Sequence, residues 1–281
     1  MKKTFLKMIL YILILITLSI VYAKYFGIKG LKVKEYRVES NILTENFSGL
    51  KIVHFSDLYY KSTVNNQDIE NLIEKINILR PDIVVFTGDL VKKGTKILDK
   101  EQKFLIKALS SIKTTIGKYA IYGDQDYSLS NYHNIMEKSN FKILNNSYET
   151  IYYKSISPMY LVGLPSSIKE PIKLKESFEF YSDEDRKYTI VLVHDGKTIK
   201  YLDESTYEVD MILGGHSLNG SIVLPGIGGI FIEDSSYKYY DEFYEKGITN
   251  IYISSGIGTN NYNYRFNNKP SFNLYRLKAQ S

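Results

Sequence analysis

Apolar positions along the chain follow two regimes. From Met8 to Ala23 the chain runs for 16 residues without a charge, and Lys2, Lys3 and Lys7 precede the run. As a helix it spans about 24 Å, slightly short of a hydrocarbon core of about 30 Å. Tyr25, Phe26 and Ile28 extend it into the interfacial zone, where aromatic rings are at ease. Two readings fit. A signal anchor over residues 8–26, behind a basic tail of residues 1–7, would tether the protein by one helix. A cleavable signal peptide would be cut after Val21-Tyr22-Ala23, whose small last residue suits a signal peptidase. The run is long for a signal-peptide core, which favours the anchor. Lys24, Lys29, Lys32, Lys34 and Arg37 follow it and weaken the positive-inside bias. Moving the short Lys-rich tail across a membrane is the costlier alternative. The expected location is therefore the cell membrane, single-pass, with the domain extracytoplasmic.

From about Leu31 onward, short apolar runs alternate with stretches of helical spacing. Lys51–Ser56, Asp82–Thr87, Lys118–Tyr122, Thr189–Val193, Met211–Leu213 and Ile251–Ser254 read as strands, with shorter ones near Thr150, Met159 and Gly229. Ile69, Leu72, Ile73, Ile76 and Leu79 share one helical face that should stop at Arg80-Pro81. A second amphipathic helix should run to about Ile112, with Asp99 as N-cap and Gln102 three residues on. A third is expected over Leu129–Ser139. No linker, charge block or repeat interrupts this pattern. It predicts one α/β domain over residues 27–281, with covered sheets.

Composition narrows the function classes. With 44% hydrophobic and 24% charged residues, the chain is neither a disordered tail nor a polytopic membrane protein. A net charge of +5 is mild and forms no dense basic stripe, so no nucleic-acid partner is expected. The absence of Cys removes disulfides, thiolate metal sites and Cys nucleophiles, and fits an extracytoplasmic bacterial protein.

The strand ends carry the chemistry. Apolar runs end in Ser56-Asp57, Gly88-Asp89, Gly123-Asp124, Val193-His194 and Gly215-His216. Ligands of open α/β sheets collect beyond the carboxyl ends of strands. One strand-end Asp is usually a turn or helix cap. Five such groups, mixing oxygen and imidazole without thiolate, favour a divalent metal such as Mn, Fe or Zn.

The order Asp57, Gly88-Asp89, Gly123-Asp124-Gln125-Asp126, His194, Gly215-His216 resembles the calcineurin-like metallophosphoesterases. The stretch Tyr252–Thr259, followed by Arg265-Phe266, resembles their membrane-associated bacterial branch. The resemblance implies a four-layer αββα sandwich with the metal site at the sheet ends. It assigns one metal to Asp89, Asp124, His194 and His216, with Asp57 nearby. The positions that would supply imidazoles to a second metal are Tyr59 and Leu218, and a catalytic His is replaced by Gln125. Leu218 has no lone pair to offer, and Tyr59 would ligate only as phenolate. One metal is therefore expected rather than two. Gln125 can hydrogen-bond a phosphate but cannot transfer a proton. Gln125 and Asp57 are the candidate catalytic residues, and Arg265 a candidate phosphate contact.

The remaining candidates have plainer readings. Strand alternation sets His54 on the face opposite Asp57, as a packed side chain, and His133 lies on a helix surface. Tyr237, Tyr239, Tyr240, Phe243 and Tyr244 read as an edge segment, or else as a sugar-stacking or membrane-side surface. Pro225–Gly229 is a hairpin turn, lacking the Lys-Ser/Thr of a phosphate loop. Three functions follow: hydrolysis of a phosphate ester or pyrophosphate bond, silent binding of a phosphorylated small molecule, lipid or wall polymer, or a scaffold partnered through the Tyr-rich edge. The sequence carries no signal of oligomeric state.

Overall fold

The structure is a computed structural model and describes residues 2–236, 238–260 and 262–280. The chain opens with helix α1 (Lys2–Tyr25), then β1 (Lys32–Ser40), β2 (Lys51–Phe55), α2 (Asn66–Leu79) and β3 (Ile83–Phe86). Next come α3 (Asp99–Ser110), β4 (Gly117–Ala120), α4 (Tyr132–Lys138), β5 (Phe141–Ile143), β6 (Ser147–Ile151) and β7 (Met159–Gly163). A short α5 (Leu174–Ser177) leads to β8 (Thr189–Leu192), α6 (Gly196–Asp203) and β9 (Met211–Gly214). The chain ends with β10 (Ile222–Leu224), β11 (Gly228–Ile230), β12 (Phe243–Lys246), β13 (Thr249–Ile253) and β14 (Ser271–Ala279).

Two six-stranded sheets result, ordered β1-β14-β2-β3-β4-β5 and β12-β13-β9-β8-β7-β6. The central strands β2, β3 and β4 are mutually parallel, as are β7, β8, β9 and β13. Alternation along each strand feeds two faces at once. Ile52, Ile83 and Val85 point between the sheets and meet Ile190, Leu192 and Leu213 there. Val53, Val84 and Phe86 point outward onto Ile69, Leu72 and Leu105 of α2 and α3. Val191, Val193 and Ile212 cover the other outer face with Ile199 and Leu202 of α6. The layering is αββα, as the sequence resemblance implied.

Local signals account for the helix ends. Asn65 caps α2 by accepting from Gln67 N and Asp68 N, while Asp68 accepts from Asn65 N. Arg80 closes α2 in a left-handed conformation before Pro81. The start of α3 differs from expectation: Asp99 lies inside the first turn, and Glu101 reaches back to Leu98 N at 2.8 Å. A carboxylate at the third helical position therefore makes the reciprocal bond assigned to Gln102. Helix α4 is also shorter than expected. Helix α1 is exposed along its length except at Ala23, whose carbonyl accepts from Arg265 N at 3.0 Å. It is long and apolar enough to cross a membrane.

Candidate metal centre

Each strand-end group sits just beyond its strand, and tight turns aim them together. Gly88 (φ 96°) passes so close to the next loop that an added Cβ would lie 2.2 Å from Gly123 N. A Cβ on Gly123 would in turn lie 2.2 Å from Asp89 Oδ1. Asp57, Asp89 and His216 themselves take left-handed backbone, at φ 52°, 63° and 67°. Non-glycine residues held there are strained, and such strain concentrates at functional sites.

Asp89, Asp124, His194 and His216 each bring one donor atom to a common point, all within 4.8 Å of one another. His194 Nε2 lies 3.2 Å from Asp124 Oδ1 and 3.6 Å from Asp89 Oδ2. His216 Nδ1 lies 3.4 Å from Asp124 Oδ1 and 3.3 Å from His194 Nε2. Donors placed about 2.1 Å from a single tetrahedral ion are about 3.4 Å apart. The spacing and the mixed imidazole–carboxylate set therefore fit one divalent cation. Both rings are held from behind. His194 Nδ1 is 2.7 Å from the Thr87 carbonyl, which can only accept, so Nε2 is left with its lone pair facing the cluster. His216 Nε2 contacts Ser235 Oγ and lies 3.4 Å from Glu233 Oε2.

Residues 50–220, more than half of the chain, match the calcineurin-like phosphoesterase family, and the matched span contains all five strand-end groups. The chain belongs to this family. Among its relatives is the metallophosphoesterase YkuE of Bacillus subtilis, 28% identical over 261 residues, 92% of this chain and 89% of that one. A transmembrane protein with a metallophosphoesterase domain from Danio rerio is 25% identical over 124 residues, 43% of this chain and 28% of that one. Among solved structures, GAP50, the anchor in the inner membrane complex of Plasmodium, aligns with a TM-score of 0.46 at 13% identity, covering 80% of each chain.

The positions that the resemblance assigns to a second metal are occupied by other chemistry here. The fully buried Tyr59 turns its hydroxyl between two carboxylates, donating to Asp89 Oδ2 at 2.9 Å with Asp57 Oδ1 at 3.2 Å. Gln125 Nε2 donates to Asp89 Oδ2 at 2.9 Å and to the Tyr59 oxygen at 3.3 Å. The Leu218 side chain packs over Gly256 beside Asp57: a Cβ on Gly256 would lie 2.4 Å from Leu218 Cδ2 and 2.9 Å from Asp57 Cβ. A phenol, an amide and an isobutyl group thus stand at the three positions where the resemblance implies imidazoles. Burial, then the Asp89 and Asp57 charges, push the Tyr59 phenol well above its ordinary range. Burial also raises the Asp57 carboxyl, against the pull of His194.

The four-donor side has the opposite balance. Burial alone would lower His194, but the Asp89 charge and hydrogen bonds to Asp124 and Asp89 hold it well above the usual imidazole range. Burial likewise works against His216, and bonds to Asp124 and Glu233 raise it to about 10. Burial works against the Asp124 carboxylate, yet its bonds to the two imidazoles keep it well below its usual value. The carboxylates that raise both rings are the ones whose charge a bound cation would compensate.

Other sequence-based candidates are placed differently. Asp57 stands behind Tyr59, outside the four-donor group, and its Oδ2 accepts from His216 N at 3.1 Å. Gln125, expected to reach a phosphate, is turned inward, with Oε1 accepting from Lys93 N. Arg265, the candidate phosphate contact, points into its own loop. It is fully buried, and its guanidinium donates to the carbonyls of Ser255, Gly256, Gly258 and Asn268. It organises the loop beneath the crevice, because a planar fork matches several converging carbonyls. His54 is packed as expected, with Nε2 2.9 Å from Thr87 Oγ1, and His133 is exposed. In the aromatic stretch Tyr239 is buried, Phe243 is exposed, and Tyr237 lies outside the described residues.

Sequence reasoning gave no role to Asp126, although the motif contains it. Its carboxylate accepts from Asp89 N at 2.7 Å, Leu90 N at 2.8 Å and Gly123 N at 2.8 Å, tying two ligand loops together. Glu233 and Ser235 had no motif to betray them.

Proposed function

We propose that the protein is a membrane-anchored hydrolase of a phosphate ester or pyrophosphate bond, working with one divalent cation, Mn, Fe or Zn. The observation that carries this reading is the four-donor group Asp89, Asp124, His194 and His216 with ion-sized spacing. Residues 8–26 form the transmembrane anchor, residues 27–281 the phosphoesterase domain, and the domain faces the extracytoplasmic side. A cation bound there supplies Lewis acidity to a phosphoryl oxygen and lowers the pKa of water. The chain does the rest. Thr87 O fixes the His194 tautomer, Ser235 and Glu233 orient His216, and Asp126 fixes the backbone that carries Asp89. Gln125 and Asp57 act by holding Tyr59 and His216 in place, since neither reaches the crevice as a proton donor.

Turnover of aryl phosphates and diesters, assayed with Mn²⁺, Fe²⁺ and Zn²⁺ beside metal analysis of the dialysed protein, tests this. Activity with about one ion per chain supports it; a stoichiometry of two overturns the one-cation site. The Tyr59–Gln125 arrangement favours a second reading, a catalytically silent protein that binds a phosphorylated small molecule or lipid. Phosphate binding without turnover would select it.

A further inference from the structure

Strands β10 and β11 form a two-stranded hairpin that joins neither six-stranded sheet. An isolated hairpin is marginal in water unless something covers it. Residues 217–232 contain no Asp, Glu, Lys or Arg, in a chain that is 24% charged. The tip residue Ile227 is 74% exposed, and Phe231 and Tyr262 beside the hairpin are 58% and 56% exposed. Their rings contact each other at 5.1 Å. Phe231 holds this position at φ 62°, a conformation that costs a bulky side chain energy.

The hairpin is tied directly to the exit of α1. Phe266 N donates to Ser221 O, and Val223 N donates to Phe266 O at 2.9 Å. The Phe266 ring meets Tyr22 of α1 edge-on at 6.0 Å, and Arg265 N bonds Ala23 O. Tyr25 and Phe26, exposed at the same helix end, and Lys24 and Lys29 beside them have the composition of a membrane interface.

We infer that the β10–β11 hairpin, with the Phe231–Tyr262 pair, is a second membrane contact, seated in the interfacial layer of the bilayer that α1 spans. This rests on the reading of α1 as an anchor. A bilayer is favoured over a protein partner because the uncharged surface is fixed to the point where the chain leaves the membrane. The consequence concerns the metal centre. His216, Leu218, Ile222, Phe231, Glu233 and Tyr262 are among the residues lining one pocket, so one wall of it belongs to the proposed contact. A ligand bearing its phosphate on an apolar tail would reach His216 along this wall.

The chain has no Trp, so Ile227→Trp creates a single Trp, excited at the red edge where its 26 Tyr do not absorb. The full-length variant is reconstituted in phosphatidylcholine–phosphatidylglycerol vesicles with and without brominated acyl chains. Brominated lipid should quench emission about twofold, since interfacial segments sit roughly 5–10 Å deep. Ile156→Trp is the control. Ile156 is 93% exposed in the β6–β7 connection, at the end of the sheet opposite the metal centre, and should not be quenched. Phe231→Trp gives a second reading should the tip variant misfold. Vesicle flotation without quenching at either position overturns the hairpin contact and leaves the anchor standing. Blue-shifted emission without quenching also overturns it, because the tip is then covered by protein. Failure to float overturns the anchor, and this inference with it.

Discussion

Tyr59→Phe tests the proposal that the Tyr59 hydroxyl stands in for a second cation. The substitution removes one oxygen and leaves the ring packed where it is, so no cavity term is added. That oxygen donates to Asp89 at 2.9 Å and lies 3.2 Å from Asp57, and all three residues are fully buried. A hydrogen bond to a charged acceptor contributes about 1.5–3 kcal/mol. Asp89 keeps the bonds from Gln125 N and Nε2, which limits the loss. The expected destabilisation is about 2 kcal/mol, or a fall in melting temperature of roughly 4 °C. Urea and thermal unfolding of the full-length chain in detergent with EDTA at pH 7.5 measure it against wild type. A loss below about 0.5 kcal/mol would show that the hydroxyl does not compensate the two carboxylates. The space between Asp57 and Asp89 would then have to be assigned to an ion.

Three further outcomes are expected. Tyr59→His with Leu218→His should raise bound metal from about one to about two ions per chain, read by metal analysis after dialysis, and adding Gln125→His should yield hydrolysis of activated esters; unchanged stoichiometry would remove those residues from the second site. Burial lowers His54 to about 3, so the folded chain refuses a proton that the unfolded chain accepts near 6.5. Its contribution is complete above pH 6.5 and is lost progressively as pH falls toward 3, by up to about 5 kcal/mol; an NMR titration of the His54 ring with a midpoint near 6.5 would contradict this. Arg265→Lys should destabilise by about 3 kcal/mol, because an ammonium cannot serve four carbonyls in the guanidinium plane; its folded fraction should keep the wild-type KM for an aryl phosphate, and a raised KM would restore Arg265 as a phosphate contact.

The sequence by itself determined the alternation of strand and helix, the apolar run at the N-terminus, and the identity and order of the donors. These are local properties. A strand followed by Gly-Asp or Gly-His commits its polar group to the sheet end, whatever lies opposite. The residue types at Tyr59 and Leu218 were equally legible, and neither a phenol nor an isobutyl group mimics imidazole. Only the tertiary structure decided which proton meets which lone pair. Asp57 accepts from the backbone of His216, 159 positions away, and the Thr87 carbonyl fixes a ring 107 positions on. Arg265 reads in the sequence as a free cation beside a crevice, but the loop folds its carbonyls around the guanidinium. The Tyr59 hydroxyl and Gln125 amide read as losses, and the fold makes them partners of the same carboxylate. The reason is range: side-chain chemistry is written residue by residue, whereas compensation of a buried charge depends on what two sheets and their loops bring within about 3 Å.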